Sequence, residues 1–145
     1  MGAEPQAMDE DFALLHAAAQ AAGFWAAVHL LLLLLLSLLV VRQRQKHAVL
    51  LGDEGIPQLT QAIRAFGNAT EYVPAGVLGL IALAAMKAPP LSIHLAGSLL
   101  FSGRVTHAVA ISRSGGSSIL RSAGMLLTWL AYIFEAVALL IFAID

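Results

Sequence analysis

Phe24-Trp-Ala-Ala-Val-His29-Leu30-Leu-Leu-Leu-Leu-Leu-Leu36-Ser-Leu-Leu-Val-Val41 holds no charged side chain and stops at Arg42-Gln-Arg44-Gln-Lys46. An uncharged apolar run of roughly 18 residues is long enough to cross a hydrocarbon core of about 30 Å as a helix. The cations that end it sit where lipid headgroups begin. Acidic Glu4, Asp9, Glu10 and Asp11 precede the run. Without a basic n-region, no cleavable signal peptide is expected. The segment therefore reads as a membrane span preceded by an acidic tail.

The rest of the chain has the same character. Of 145 residues, 59% are hydrophobic and only 12% are charged. A soluble domain carries about 25% charged residues, so the polar surface here is too small to coat a water-soluble globule. The net charge of -1 gives no reason to expect a nucleic-acid partner. Cysteine is absent, which excludes disulfides, thiolate metal sites and a cysteine nucleophile. Any thiol chemistry must use a thiol brought in by a ligand, and no metal-ligand set emerges.

Three further apolar segments follow, at about residues 59–86, 91–111 and 119–144, the second of them crossed by Pro74. They are separated by Gly52-Asp53-Glu54-Gly55-Ile56-Pro57, by Lys87-Ala-Pro89-Pro90, and by Ser112-Arg-Ser-Gly-Gly-Ser-Ser118. Serines of the last turn suit helix capping. No period-two alternation supports a barrel, and helices satisfy their own backbone groups in lipid. The expected fold is all-α, an integral membrane four-helix bundle with spans near 24–41, 59–86, 91–111 and 119–144. Residues 1–23 form an outside tail and residues 24–144 a single domain. Arg42, Arg44, Lys46 and Arg64 flank the first connection, and Arg113 and Arg121 the third. The positive-inside rule then puts both termini outside and these two connections in the cytoplasm.

Ionisable groups inside such spans are costly and mark functional sites. Arg64, Asn68 and Glu71 fall at i, i+4 and i+7, within a helical sector of about 60°. Arg104 and His107 share a face of the third segment. Arg121, Met125, Thr128, Tyr132 and Glu135 form a stripe on the fourth, with Ser122 beside Arg121. Several cations converging at one depth toward the cytoplasmic side, with a few acids and amides, describe a receptor for a polyanion, and arginine's donor fork suits carboxylates. The competing reading is structural: Arg64 or Arg104 paired with Glu71, and Asn68 as an interhelical hydrogen bond. Arg42, Arg44 and Lys46 read as headgroup anchors, His29 and His94 as interfacial, and Trp25 and Trp129 as anchors or packing. Glu135 is either a neutral helix-to-helix hydrogen bond or a proton-coupling acid. Gly76, Gly79, Gly97 and Gly103 would let helices approach closely. So small a bundle rarely encloses a polar cavity alone, and shared subunits are expected.

The pattern Arg64-Ala-Phe-Gly-Asn68-Ala-Thr-Glu71-Tyr-Val-Pro74, with Gly103-Arg104-Val-Thr-His107-Ala and then Arg121-Ser122, resembles the MAPEG family, membrane-associated proteins in eicosanoid and glutathione metabolism. The likeness runs from about Val40 to the C-terminus. Glu-Tyr-x-Pro and the Ser-Arg-Ser-Gly turn look like its bacterial branch, which would place the chain in a bacterial inner membrane. The resemblance implies a homotrimer binding glutathione between neighbouring subunits near the cytoplasmic side. On that basis Asn68 and Glu71 would hold the amino-acid end of glutathione, and His107 would be a ligand contact. Arg104 would sit near the thiol as a structural or charge-stabilising group. Arg121 would stabilise the thiolate and Ser122 would donate to sulfur, while Arg42 would reach a carboxylate from the neighbouring subunit. Arg64 matches a position that is structural in character, and Glu135 is grouped with it as a charge-pairing residue.

Two positions depart from the prostaglandin E synthase and glutathione transferase members. Gly67 stands where they have a second arginine, and Ile111 where they have a tyrosine one turn after the histidine. The implied activity is a membrane-bound glutathione transferase or peroxidase-like enzyme for lipophilic electrophiles or lipid hydroperoxides. The alternative within the family is a non-catalytic lipid-binding or scaffold protein. A small proton-coupled exporter using Glu71 or Glu135 fits less well, because excess arginine repels cationic cargo.

Overall fold

The computed structural model describes residues 3–113, 116 and 118–144. It contains four helices and, among these residues, no strand: α1 Ala3–His47, α2 Pro57–Ala85, α3 Pro90–Arg113 and α4 Ile119–Ile144. Three of them (α1, α2 and α4) are long and apolar enough to cross a membrane. The 24-residue α3 matches their length, but Arg104, His107 and several serines dilute its apolar character. α2 and α3 form the central pair, α1 packs on both, and α4 packs on both from the other flank.

The largest difference from expectation is at the start. The span expected at 24–41 belongs to a helix of 45 residues, about 68 Å long and more than twice the hydrocarbon thickness. Residues 8–23, expected as a tail, are helical. Alanine is the best helix former, and Ala18, Ala21 and Ala22 pack against Leu80, Leu83, Ala84, Ala88 and Ile93. Asp9, Glu10 and Asp11, read as part of a tail, sit on this helix. Asp11 pairs with Lys87 at 2.6 Å, in the open. Met1 and Gly2 lie outside the described residues, as do Ser114, Gly115 and Ser117 of the turn before α4.

The connections use sequence-local devices. Ala48, with φ 56°, turns the chain out of α1, and the Val49 amide donates back to the Arg44 carbonyl at 3.0 Å. Arg44 also donates through one nitrogen to the carbonyls of Leu50 and Gly52, both at 3.1 Å, so this expected headgroup anchor is also a staple of the loop. Asp53 closes the loop: its carboxylate accepts from the Thr60 hydroxyl at 2.7 Å and the Gly55 amide at 3.1 Å. The Thr60 hydroxyl, then the Gly55 amide, hold its acidity below the ordinary carboxylate range. Pro57 occupies the first turn of α2, where its missing N–H costs nothing. At the other end of the bundle, Lys87 (φ 57°) and the Ala88 amide on the Leu83 carbonyl, 3.0 Å, end α2 ahead of Pro89 and Pro90. The Ser118 hydroxyl caps α4 by accepting from the Arg121 amide at 3.2 Å.

α3 and α4 meet through Gly103 and Gly124. A Cβ at Gly103 would lie 2.6 Å from the Thr128 hydroxyl oxygen, and one at Gly124 would lie 2.6 Å from the His107 backbone nitrogen. Only glycine permits that approach, and it brings the Arg104 turn of α3 against Thr128 of α4.

Candidate functional site

Arg104 is the hub of the polar interior and is only 1% exposed. Its Nε donates to the Thr128 hydroxyl at 2.9 Å and Nη1 to Asn68 Oδ1 at 2.7 Å. Nη2 makes longer contacts, 3.4 Å each, with the Gly124 carbonyl and the Met125 sulfur. The guanidinium carbon lies 4.7 Å from the centre of the Tyr72 ring, a cation–π distance. Neutral dipoles from α2 and α4 therefore satisfy this cation. Tyr72 leads onward, because the Tyr132 hydroxyl donates to its backbone carbonyl at 2.5 Å. One turn further along α4, Glu135 is 4% exposed, and its Oε1 has no partner among the described residues.

Beside this hub, a recess of about 280 Å³ opens between α2 and α4, lined by Arg64, Gly67, Asn68, Glu71, Arg121, Ile63 and Ile111. The helical spacing of the α2 residues thus becomes a wall, with α4 supplying the facing cation. The one ion pair among the described residues is Lys87–Asp11, so Arg64 and Arg121 each stand more than 4.0 Å from the Glu71 carboxylate. The recess holds two guanidiniums, a carboxylate and an amide. Asn68 lines the recess, and with its oxygen engaged by Arg104 its NH2 is the group it keeps for donating.

Arg121 also borders a second recess, of about 390 Å³, lined by Ser118, Ser122, Met125 and Trp129. A polar recess and a more apolar one therefore share a single guanidinium. The residues singled out in the sequence divide accordingly. Arg64, Asn68, Glu71 and Arg121 come together, and Ser122 lies on the far side of Arg121. Arg104 reaches the recess only through Asn68. His107, 3% exposed, is packed against Gly124 outside the lining. Arg42 is exposed on α1, which does not border the recess. Glu135 lies deeper, against Gly79.

Gly67 and Ile111, the two departures noted above, both line the recess. A Cβ at Gly67 would meet nothing within 4 Å, so the missing side chain is part of what leaves the recess open. Tyr72 was not singled out, although it stacks under Arg104; its position beside Glu71 was the only signal. Trp129 turns out to line the second recess rather than serving only as packing. Among the described residues, no three His, Cys, Asp or Glu side chains cluster as a metal site.

The MAPEG family model matches residues 22–141, which takes in both recesses and the hub between them. The chain belongs to the MAPEG family. This MAPEG protein is 32% identical to the inner membrane protein YecN of Escherichia coli strain K12 over 114 residues, 79% of this chain and 86% of the relative. YecN of Escherichia coli O6:H1 matches to the same extent. Family membership, an inner membrane relative and three helices fit to span make this a MAPEG membrane protein. The first part of α1, before residue 22, lies outside the matched region.

Proposed function

We propose that the protein is a membrane-bound, glutathione-dependent transferase or peroxidase-like enzyme acting on lipophilic electrophiles or lipid hydroperoxides. The observation that carries this reading is the charge pattern of the recess. Arg64 and Arg121 are two cations, Glu71 is one anion, and none is paired with another. Glutathione presents the inverse set: two carboxylates, one ammonium and a thiol. Charge-assisted hydrogen bonds from guanidinium to carboxylate supply both strength and orientation.

In this reading the Glu71 carboxylate and the Asn68 amide hold the amino-acid end of the tripeptide. Arg104 is a positioning residue, fixing Asn68 by its 2.7 Å bond. Arg121 stands where the two recesses meet, so a thiolate drawn to it faces an apolar substrate entering past Met125 and Trp129. The thiol loses its proton to solvent, favoured by the adjacent cation. Sulfur then forms a bond to the electrophilic carbon as the leaving group departs with its electron pair. Ser122 donates a hydrogen bond to the sulfur. A homotrimer completes the recess, with Arg42 of a neighbouring subunit reaching the second carboxylate. The site lies toward the cytoplasmic side, with both termini outside.

Titration of the purified protein with millimolar glutathione in a calorimeter, paired with thermal denaturation, is the direct test. Heat release and a raised midpoint are expected; neither appearing would sink the reading. Arg121→Ala is expected to lower conjugation of a chlorodinitrobenzene about 10²–10³-fold, the loss typical when one charge-stabilising donor is removed, with the oligomer intact. The second reading, a non-catalytic lipid-binding or scaffold member, is favoured by Gly67 and Ile111 in the lining. Glutathione binding without turnover on any electrophile would select it.

A further inference from the structure

We propose that the groove between α1 and α3 binds one acyl chain of an anionic phospholipid, with the lipid phosphate held at Arg113. The groove measures about 640 Å³ and is floored by Phe101, Val105 and Ala108 of α3, with Leu32, Leu36 and Leu39 of α1 as its wall. It lies across the α2–α3 packing from the recess lined by Arg64 and Arg121, so it is a separate site. Along α1 its lining runs from Val28 to Leu39, about 16 Å at the helical rise. That is close to half the roughly 30 Å hydrocarbon thickness, the depth of a single leaflet.

Polarity changes along the groove in the order a phospholipid requires. The deep end is wholly apolar. Toward the α1–α2 connection, Leu36, Leu39 and Ser112 also line a smaller recess of about 180 Å³ that adds Gln43, Gln58 and Gln61. Their amides suit the ester oxygens that follow an acyl chain. Arg113 stands at the mouth, and neither lining contains an acid. Lys46, exposed on the last turn of α1, adds positive charge at the same end. Hydrocarbon, ester and anion thus meet apolar side chains, amides and cations in turn, and that match commits the groove to an anionic lipid rather than to a detergent-like apolar guest.

The chain has two tryptophans, and the Trp25 ring lies 6.2 Å from that of Phe101 at the deep end of the groove. In full-length protein carrying Trp129→Phe, Trp25 fluorescence reports local brominated chains. The protein is reconstituted in vesicles containing phosphatidylglycerol or phosphatidylcholine brominated near the chain end. The anionic lipid is expected to quench Trp25 with about fivefold higher relative affinity, the worth of one interfacial cation, and Arg113→Gln is expected to bring that ratio toward one. Val109→Tyr, filling the groove from an exposed lining position, is expected to remove the excess without touching Arg113. Equal quenching by the two headgroups in the parent overturns the proposal, as does an excess that survives either substitution. Absence of quenching by both lipids also overturns it, and indicates that a second copy of the chain covers the groove. The readout requires no glutathione, so it stands or falls apart from the enzymatic reading.

Discussion

Arg104 shows how a membrane protein keeps a cation without a carboxylate beside it: each nitrogen is met by a hydroxyl, an amide oxygen, a carbonyl or sulfur. Removing one such partner leaves a buried charged donor unmet, at about 1–3 kcal/mol. Thr128→Val deletes the acceptor of the Nε bond while nearly preserving shape. It is expected to lower the unfolding midpoint in detergent by that cost and to weaken glutathione binding through Asn68. An unchanged midpoint would show that Nε finds another acceptor. Gly67 offers the opposite case, a gain. With open space at its Cβ, Gly67→Arg meets no clash at its first side-chain atom and puts the cation found in other family branches at the recess lining. Glutathione affinity is expected to rise about tenfold to a hundredfold, the 1.5–3 kcal/mol of a charged hydrogen bond. The measurement is the dissociation constant by calorimetry, and a weaker one would count against glutathione as the guest.

At the scale of elements, the α3–α4 contact and the α1–α2 loop carry separate consequences. Gly124 faces the His107 backbone, which cannot move aside as a side-chain tip does, so Gly124→Val forces the helices apart. Overpacking typically costs about 1–3 kcal/mol; here it also separates Arg104 from Thr128, so loss of folded protein on size exclusion is expected. The loop responds to acid. Asp53 has its folded-state acidity pulled below the ordinary range by Thr60 and Gly55, so its support is present above the unfolded value near 3.9. That support disappears as pH falls through the lower folded value. Thermal midpoints measured from pH 5 down to pH 2 should fall less in Asp53→Asn than in the parent, because the variant has no carboxylate to protonate. The elements themselves were legible where hydropathy and turn chemistry coincide: α2, α3 and α4 start and stop within two residues of expectation. The start of α1 was not, because hydropathy reports where lipid begins and not where a helix begins. The alanines at 17–19 and 21–22 extend it toward the acids.

Across the whole molecule, one-helix patterns and cross-helix partners differ in what a linear chain discloses. The spacing of Arg64, Asn68 and Glu71 announced a common face, and that face lines the recess. That Asn68 turns its oxygen to Arg104, or that His107 packs on Gly124, follows from how closely α3 docks on α4, a distance no single segment encodes. How copies of the chain meet belongs to the same scale. Arg42 is exposed and remote from its own chain's recess lining, so under the proposed trimer each site takes Arg42 from one subunit and Arg121 from the next. Arg42→Ala and Arg121→Ala are each expected to be nearly inactive as homotrimers. Co-expressed in equal amounts, they assemble mixed trimers in which about a quarter of the subunit junctions receive both intact arginines, if assembly is random and cyclic. Conjugating activity should therefore return to about a quarter of the parent, whereas mixing the separately purified, stable oligomers should restore none. If the co-expressed protein stays as inactive as its parents, Arg42 serves its own subunit or none, and the recess must be completed by another residue.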